Sequence, residues 1–198
     1  MMRYFSILFA MSVGLVACDS DSSSSGTDNT IIGGNPVDDD GSCVVSDQVI
    51  DDDVTIPRDA VCTFTNVEVE GNIKMNGNAR LTATNIDVDG SIQAQGADAL
   101  TVTGSRVLGD IQFEQGGSVN VQTTFIDGTL QLESNDGALN ARDNTIGGDL
   151  QAFQNRGGPF TFSDNTIDGN LQCKENDPSP TGGGNVVSGN KEDQCNSL

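Results

Sequence analysis

Short stretches of alternating apolar and polar residues recur along the chain with a period close to 19 residues. Each stretch centres on a glycine, as in VEVEGNI, IDVDGSI and TFIDGTL, and successive glycines are 19, 19, 19, 20 and 21 residues apart. These glycines are Gly71, Gly90, Gly109, Gly128, Gly148 and Gly169. Weaker copies place Asp52 nineteen residues before the first glycine and Gly189 twenty residues after the last. A fixed period of this length is the signature of a repeat architecture.

The apolar positions persist from repeat to repeat. Val or Ile lies two residues before each glycine, and Ile or Leu lies two residues after it. A second apolar pair follows in each repeat, for example Leu81 and Ala83, or Val119 and Val121. Alternation with polar residues predicts short strands with one buried face. We therefore expect an all-β protein: a right-handed parallel β-helix, or solenoid, of about eight turns of 19–21 residues with three short strands each.

The ends of the chain differ from the repeats in composition. The amino-terminal segment up to Cys18, MMRYFSILFAMSVGLVAC, combines Arg3 with an apolar run too short to span a bilayer comfortably. The closing LVAC resembles the lipobox of bacterial lipoproteins, which implies cleavage before Cys18 and lipidation of that cysteine. An ordinary signal peptide and an N-terminal membrane anchor are the alternatives. Residues 19–42, rich in Ser, Asp and Gly, read as a disordered acidic tether to a domain at 43–198.

The repeat over roughly residues 50–172 resembles that of the bactofilins, in repeat type only. That resemblance implies a short-turn right-handed β-helix. The closing segment from Gly169 to Cys195 is similar to the tails of uncharacterised exported bacterial repeat proteins, a likeness that implies no activity.

The charge of the chain limits its partners and its chemistry. A formal charge of −20 makes nucleic acid a poor partner. The chain has no His, and without its leader it has no Trp and no Tyr, which removes the commonest general base. Arg142 is the only isolated basic candidate on a strand, and the sequence gives it no partner. We therefore expect no catalysis and no tightly bound cofactor.

Four cysteines remain once Cys18 is assigned to lipid. Cys43 and Cys62 are 19 residues apart, one turn, and occupy the inward column later filled by Leu81. Stacked positions lie about 4.8 Å apart, within the range that a disulfide accepts. Cys173 and Cys195 bracket the irregular last turn. We predict Cys43–Cys62 and Cys173–Cys195, one bridge at each end of the rod, with a metal site as the alternative.

Three outward columns are candidate binding surfaces. Stacked glutamines follow the glycines, and a Thr-x-Thr pattern resembling that of ice-binding proteins covers three turns. Its residues are Thr63, Thr65, Thr82, Thr84, Thr101 and Thr103. Acids adjoin the glycines, and weakly bound calcium along this corner is one hypothesis, with a solvated acidic surface as the other. These acids are Glu70, Asp89, Asp110, Asp127, Asp149 and Asp168.

Together these features predict a monomeric, membrane-anchored lipoprotein of the bacterial cell envelope, facing the periplasm or the cell surface. Its membrane partner would be reached through lipid on Cys18, and its role would be structural or binding. A calcium-dependent adhesin or glycan-binding module is one alternative function. An ice-binding protein that uses the Thr-x-Thr face is the other.

Overall fold

The protein is an all-β solenoid of eight turns. The structure, a computed structural model, describes residues 31–32, 35–36 and 41–198, and this part contains no helix. Neighbouring turns pair through parallel strands in register, so each residue lies above its counterpart in the next turn. The predicted parallel β-solenoid is confirmed.

Three faces run the length of the solenoid: the Thr face, the narrow face and the Gln face. The Thr face consists of β7 Arg80–Thr84, β10 Ala99–Thr103, β13 Ser118–Gln122, β16 Leu139–Arg142, β19 Phe160–Ser163 and β22 Thr181–Gly183. The narrow face consists of β8 Asp87–Val88, β11 Arg106–Val107, β14 Phe125–Ile126, β17 Thr145–Ile146, β20 Thr166–Ile167 and β23 Val186–Val187. The Gln face consists of β4 Val54–Ile56, β6 Ile73–Met75, β9 Ile92–Gln95, β12 Ile111–Glu114, β15 Leu130–Glu133, β18 Leu150–Phe153, β21 Leu171–Lys174 and β24 Lys191–Asp193.

The first two turns differ from the predicted three strands. There a single strand runs across both the Thr face and the narrow face, as β3 Ser42–Ile50 and β5 Val61–Val69. The chain still bends within each strand, at Asp47 and Asn66, whose φ angles are 55° and 54°. A short antiparallel pair, β1 Ile31–Ile32 with β2 Asn35–Pro36, lies within the segment predicted as a tether.

Inward side chains stack in columns that fill the solenoid. One column of the Gln face runs through Ile73, Ile92, Ile111, Leu130, Leu150 and Leu171, all fully buried. The four largest buried rings are Phe64, Phe113, Phe160 and Phe162. Burial of an aliphatic side chain contributes roughly 2 kcal/mol, and each column gains it only when the turns stack.

Both predicted disulfides are present. Cys43 bonds to Cys62 and Cys173 to Cys195, with Cα atoms 4.5 and 5.3 Å apart. Cys62 pairs with Leu81 in register, which confirms the shared inward column. One bridge joins the first two turns, and the other ties the last full turn to the closing segment. All four cysteines lie in the buried core.

Candidate binding surfaces

Three corners separate the faces, and each joins a different pair of faces. At the tight corner, between the Thr face and the narrow face, two residues connect the strands, as Asn85 and Ile86 do. The Gly corner joins the narrow face to the Gln face. The wide corner joins the Gln face to the Thr face of the next turn. Some polar side chains at these corners are exposed to solvent, and others are buried.

The predicted threonines form two straight columns on the Thr face. Thr63 pairs with Thr82 and Thr82 with Thr101, while Thr65, Thr84 and Thr103 form the second column. All six side chains point away from the core and are exposed or half-exposed. Neighbours along a column are about 4.8 Å apart, the spacing of paired strands. After these three turns the two columns continue as Asn120 and Gln122, then as Asn140 and Arg142.

Arg142 is paired, contrary to the prediction that it lacks a partner. Its Nε lies 3.2 Å from Oδ2 of Asp143, the next residue along the chain. Asp143 begins the tight corner, with a φ of 56°. The basic candidate on the Thr face is therefore ion-paired and not isolated.

The predicted glutamine column is in register but only partly linked. Gln151 donates to Gln172 at 3.0 Å, and Gln172 donates to Glu192 at 2.9 Å. Gln131 instead donates to the carboxylates of Glu114 and Glu133, at 3.3 and 3.1 Å. The amide chain is therefore interrupted in the middle of the rod.

The acids of the Gly corner do not form one stack. Those before the glycine, such as Glu70 and Asp89, are exposed, but their column is interrupted by Leu108 and again by Gly147. Asp110 and Asp149 follow the glycine and belong to a separate column. Among the described residues the longest unbroken run of acids in the first column is Asp51, Glu70 and Asp89, in the first three turns. Among the described residues, no group of three or more Asp, Glu, Cys or His side chains is placed to hold a metal ion.

The column after the glycine is a hydrogen-bond ladder that the sequence reasoning missed. Asp110 Oδ1 accepts the backbone N–H of Thr129 at 2.7 Å, and Asp149 Oδ1 accepts that of Asn170 at 2.6 Å. The same bond recurs in every turn, and every position holds a short side chain with an acceptor oxygen. The column is Asp53, Asn72, Ser91, Asp110, Thr129, Asp149, Asn170 and Asn190.

This ladder explains the repeated glycine. A Cβ on Gly128 would lie 2.3 Å from Asp110 Oδ1 and 2.8 Å from the carbonyl oxygen of Gly109. None of the corner glycines has φ in the left-handed region. Close approach of the capping side chain, and not backbone freedom, therefore requires glycine here.

Asp53 begins this ladder at the amino-terminal end. Its Oδ2 accepts a hydrogen bond from Lys74 Nζ at 2.8 Å, and its Oδ1 accepts the N–H and Nδ2 of Asn72 at 2.8 and 2.9 Å. The ammonium of Lys74, followed by the Asn72 donors, holds the pKa of Asp53 well below its usual range.

Two further ladders are buried, and the sequence reasoning missed both. At the wide corner Asn135 donates through Nδ2 to Asn155 Oδ1 at 3.0 Å, and Asn155 donates to Asn176 Oδ1 at 2.9 Å. At the tight corner Asn144 and Asn165 bond in the same way to the next amide, the second of them to Asn185. Each Nδ2 also donates to a backbone carbonyl one turn back. Every buried side-chain nitrogen and oxygen in the described part of the chain has a partner.

A signal for these ladders was present in the sequence. The six asparagines recur at the spacing of the repeat, and each follows a residue with positive φ such as Ser134, Gln154 or Asp164. Polar residues at inward positions normally argue against burial, so the spacing alone does not predict buried amides. An amide can be buried at no net penalty when all its bonds are made.

All changes of repeat length fall at the wide corner. The connection there has three residues after β9 and β12, five after β15 and six after β18 and β21. Register across the other two corners is unchanged, since Val121 pairs with Ala141 and Leu130 with Leu150 at the same separation along the chain. The lengthened connections lie side by side over the buried Asn135 ladder.

Two adjoining depressions lie at this lengthened corner. One, of about 350 Å³, is lined by Ser134, Asn135, Asp136, Gln154, Arg156 and Glu175. The other, of about 220 Å³, is lined by Glu133, Phe153, Gln154, Lys174 and Glu175. Gln154 and Glu175 belong to both, joined by a hydrogen bond of 3.2 Å from Nε2 to Oε2. We call the pair of depressions the corner groove.

Comparison with protein-family models, with curated proteins and with solved structures finds no match to this chain. No helix long and apolar enough to cross a membrane occurs among the described residues. Cys18 and its leader lie outside those residues.

Proposed function

We propose that this chain is a lipid-anchored, non-catalytic protein of the bacterial cell envelope or surface, whose solenoid has a structural or binding role. The observation that carries the proposal is the bridge at each end of the solenoid. Disulfides persist in oxidising compartments, outside the cytoplasm. The LVAC sequence supplies an anchor, and several acyl chains hold a protein stably where one would not.

The surface chemistry supports a binding or structural role. The buried polar groups are satisfied, and the two columns of threonines and the corner groove are open to solvent. With a formal charge of −20, a nucleic-acid partner is disfavoured. The ligand-facing surfaces would then address neutral or cationic groups outside the membrane.

Metabolic labelling with an alkyne analogue of palmitate tests the anchor. The full-length chain and Cys18→Ser are expressed in a bacterial host, and both are followed in membrane and soluble fractions. We expect label and membrane association for the wild type, and neither for the variant. Equal labelling of both chains, or an unlabelled wild type, would show that Cys18 carries no lipid.

A second candidate function is ice binding. The observation that favours it is the straight in-register arrangement of the six threonines on one parallel sheet. Thr82→Tyr, at the centre of the columns, should abolish crystal faceting in supercooled water. Gln112→Tyr, on the Gln face, should leave it unchanged. Round crystals with the wild type would exclude this function.

A further inference from the structure

We propose that the corner groove binds an uncharged saccharide chain. The proposal deepens the binding role proposed above and assigns it to one place. It rests on the position of the groove, on its side chains and on its charge.

The groove lies at the wide corner of the turns that are longer than 19 residues. In solenoids, insertions map to loops on one side of the stack, and that side is often the binding surface. Here the lengthened connections at residues 134–138, 154–159 and 175–180 are consecutive. They flank a rigid base, because Asn135, Asn155 and Asn176 form the buried ladder beneath them. A groove on such a base needs little ordering when a ligand binds.

An aromatic ring stands at one edge of the groove. Phe153 lies outward on the Gln face, in register between Glu133 of the preceding turn and Lys174 of the next. It is partly exposed, and the three preceding turns carry Gln95, Glu114 and Glu133 at this position. A phenylalanine ring offers a flat apolar platform to the C–H face of a sugar ring.

Two cations in the groove are unpaired. Arg156 and Lys174 are exposed, and neither forms an ion pair or a side-chain hydrogen bond within the described residues. Four of the other basic side chains there form ion pairs, namely Lys74, Arg80, Arg106 and Arg142. The donors of Arg156 and Lys174 remain available to a ligand.

Acceptors alternate with these donors. Arg156 lies in a column between Asp136 of the preceding turn and Asp177 of the next. Glu133 and Glu175 add two carboxylates beside Phe153 and Gln154. A hydroxyl group donates and accepts, so a ligand rich in hydroxyls can bond to both kinds of side chain. A ligand of one charge sign would meet repulsion from the side chains of that sign.

The charge balance of the groove disfavours an anionic chain. Three lining carboxylates, Glu133, Asp136 and Glu175, against two cations leave the groove without a positive field, on a protein whose formal charge is −20. A polyanion would therefore be repelled. The lining residues come from three consecutive turns, which suits a segment within a longer chain.

Calorimetric titration of the full-length protein tests the groove. The probes are uncharged hexasaccharides of glucose, mannose, galactose and N-acetylglucosamine, with hexagalacturonate as the anionic contrast. We expect at least one uncharged probe to bind with Kd on the order of 0.1 mM, an affinity that a shallow open site supports. Phe153→Ala should weaken binding by about tenfold, as loss of one stacking contact predicts. Arg156→Gln should also weaken it.

Phe125→Ala is the matched control, because Phe125 is an exposed phenylalanine on the narrow face, 39% exposed and outside the groove. It should bind like the wild type, and thermal unfolding would check that each variant is folded. The proposal is overturned if no uncharged probe binds more tightly than about 1 mM. Tightest binding of hexagalacturonate, or equal losses in both phenylalanine variants, would also overturn it. Palmitate labelling reports separately on the anchor, so it stands or fails independently of the groove.

Discussion

The two halves of the solenoid turn the same corners with different side chains. In the first four turns the buried corner positions are mostly apolar, as with Val67 and Ile86 at the tight corner and Ala79 and Ala97 at the wide corner. In the later turns they are asparagines, each bonded to the backbone and to the next amide. Repeat length follows the same division, because the period is constant through the first half and longer in the second.

The difference shows how a solenoid acquires a variable loop. An apolar corner is held by packing, which depends on the volumes of the neighbouring side chains. Each turn must therefore keep the same length and similar side chains as the turn before it. An amide corner is held by hydrogen bonds with fixed partners. The Asn155 amide fixes the chain at that point, and the residues after it are free to lengthen. The corner groove lies in the second half, where asparagines form the buried corners.

The largest loss of stability should come from a nearly isosteric substitution in an amide corner. Asn165→Asp replaces a buried donor, Nδ2, that lies 2.9 Å from both the carbonyl oxygen of Ala141 and Oδ1 of Asn185. We expect a loss of about 4 kcal/mol at neutral pH, because a charge is buried against acceptors. Urea unfolding measures it.

Ile86→Val is the corresponding change in an apolar corner. It removes one methylene from a side chain that is 2% exposed and should cost about 1 kcal/mol. Equal costs for the two variants would mean that the amide corners are held by packing as well, and the distinction between the halves would fail.

The difference between packing and hydrogen bonding also marks what the sequence could predict. Period, strand alternation and the stacked cysteines follow from apolar spacing, because an inward position that repeats must be filled from one turn to the next. The ladders depend on partners one full turn away, so Asn155 looks like any loop asparagine until its neighbours are placed. Likewise Asp110 looks like a surface acid until the N–H of Thr129 is found above it.

The two disulfides should stabilise their own halves by similar amounts. They close loops of 19 and 22 residues, for which chain entropy predicts about 3 kcal/mol each. We expect Cys43→Ala/Cys62→Ala to raise hydrogen exchange mainly in the first turns. Cys173→Ala/Cys195→Ala should raise it mainly in the last. Exchange spreading through the whole rod in either variant would show that the halves unfold as one unit.

The Gly corner should not distinguish the halves, because its ladder runs through both. An added Cβ would lie 2.7 Å from the Gly71 carbonyl oxygen at Gly90, and 2.6 Å from that of Gly148 at Gly169. Both Gly90→Ala and Gly169→Ala should therefore cost about 1–3 kcal/mol, the usual range for overpacking. Thermal unfolding measures the loss of stability in each variant. If one variant lost its stability and the other lost none, the two halves would differ at the Gly corner as well.

The smallest effect concerns the start of that ladder in the first half. The pKa of Asp53 is lowered in the folded protein by Lys74 and Asn72, so its ionised form favours folding. This contribution is complete above the unfolded pKa, near 4, and is lost as the pH falls through the lower folded value. Acid unfolding of the wild type should therefore be steeper below about pH 4 than that of Asp53→Asn, which cannot titrate. Lys74→Met should shift the wild-type profile towards that of Asp53→Asn, because the ammonium is the largest cause of the low pKa. Identical acid profiles for all three proteins would mean that Asp53 is as well solvated in the folded chain as in the unfolded one, and that the ladder begins at Asn72.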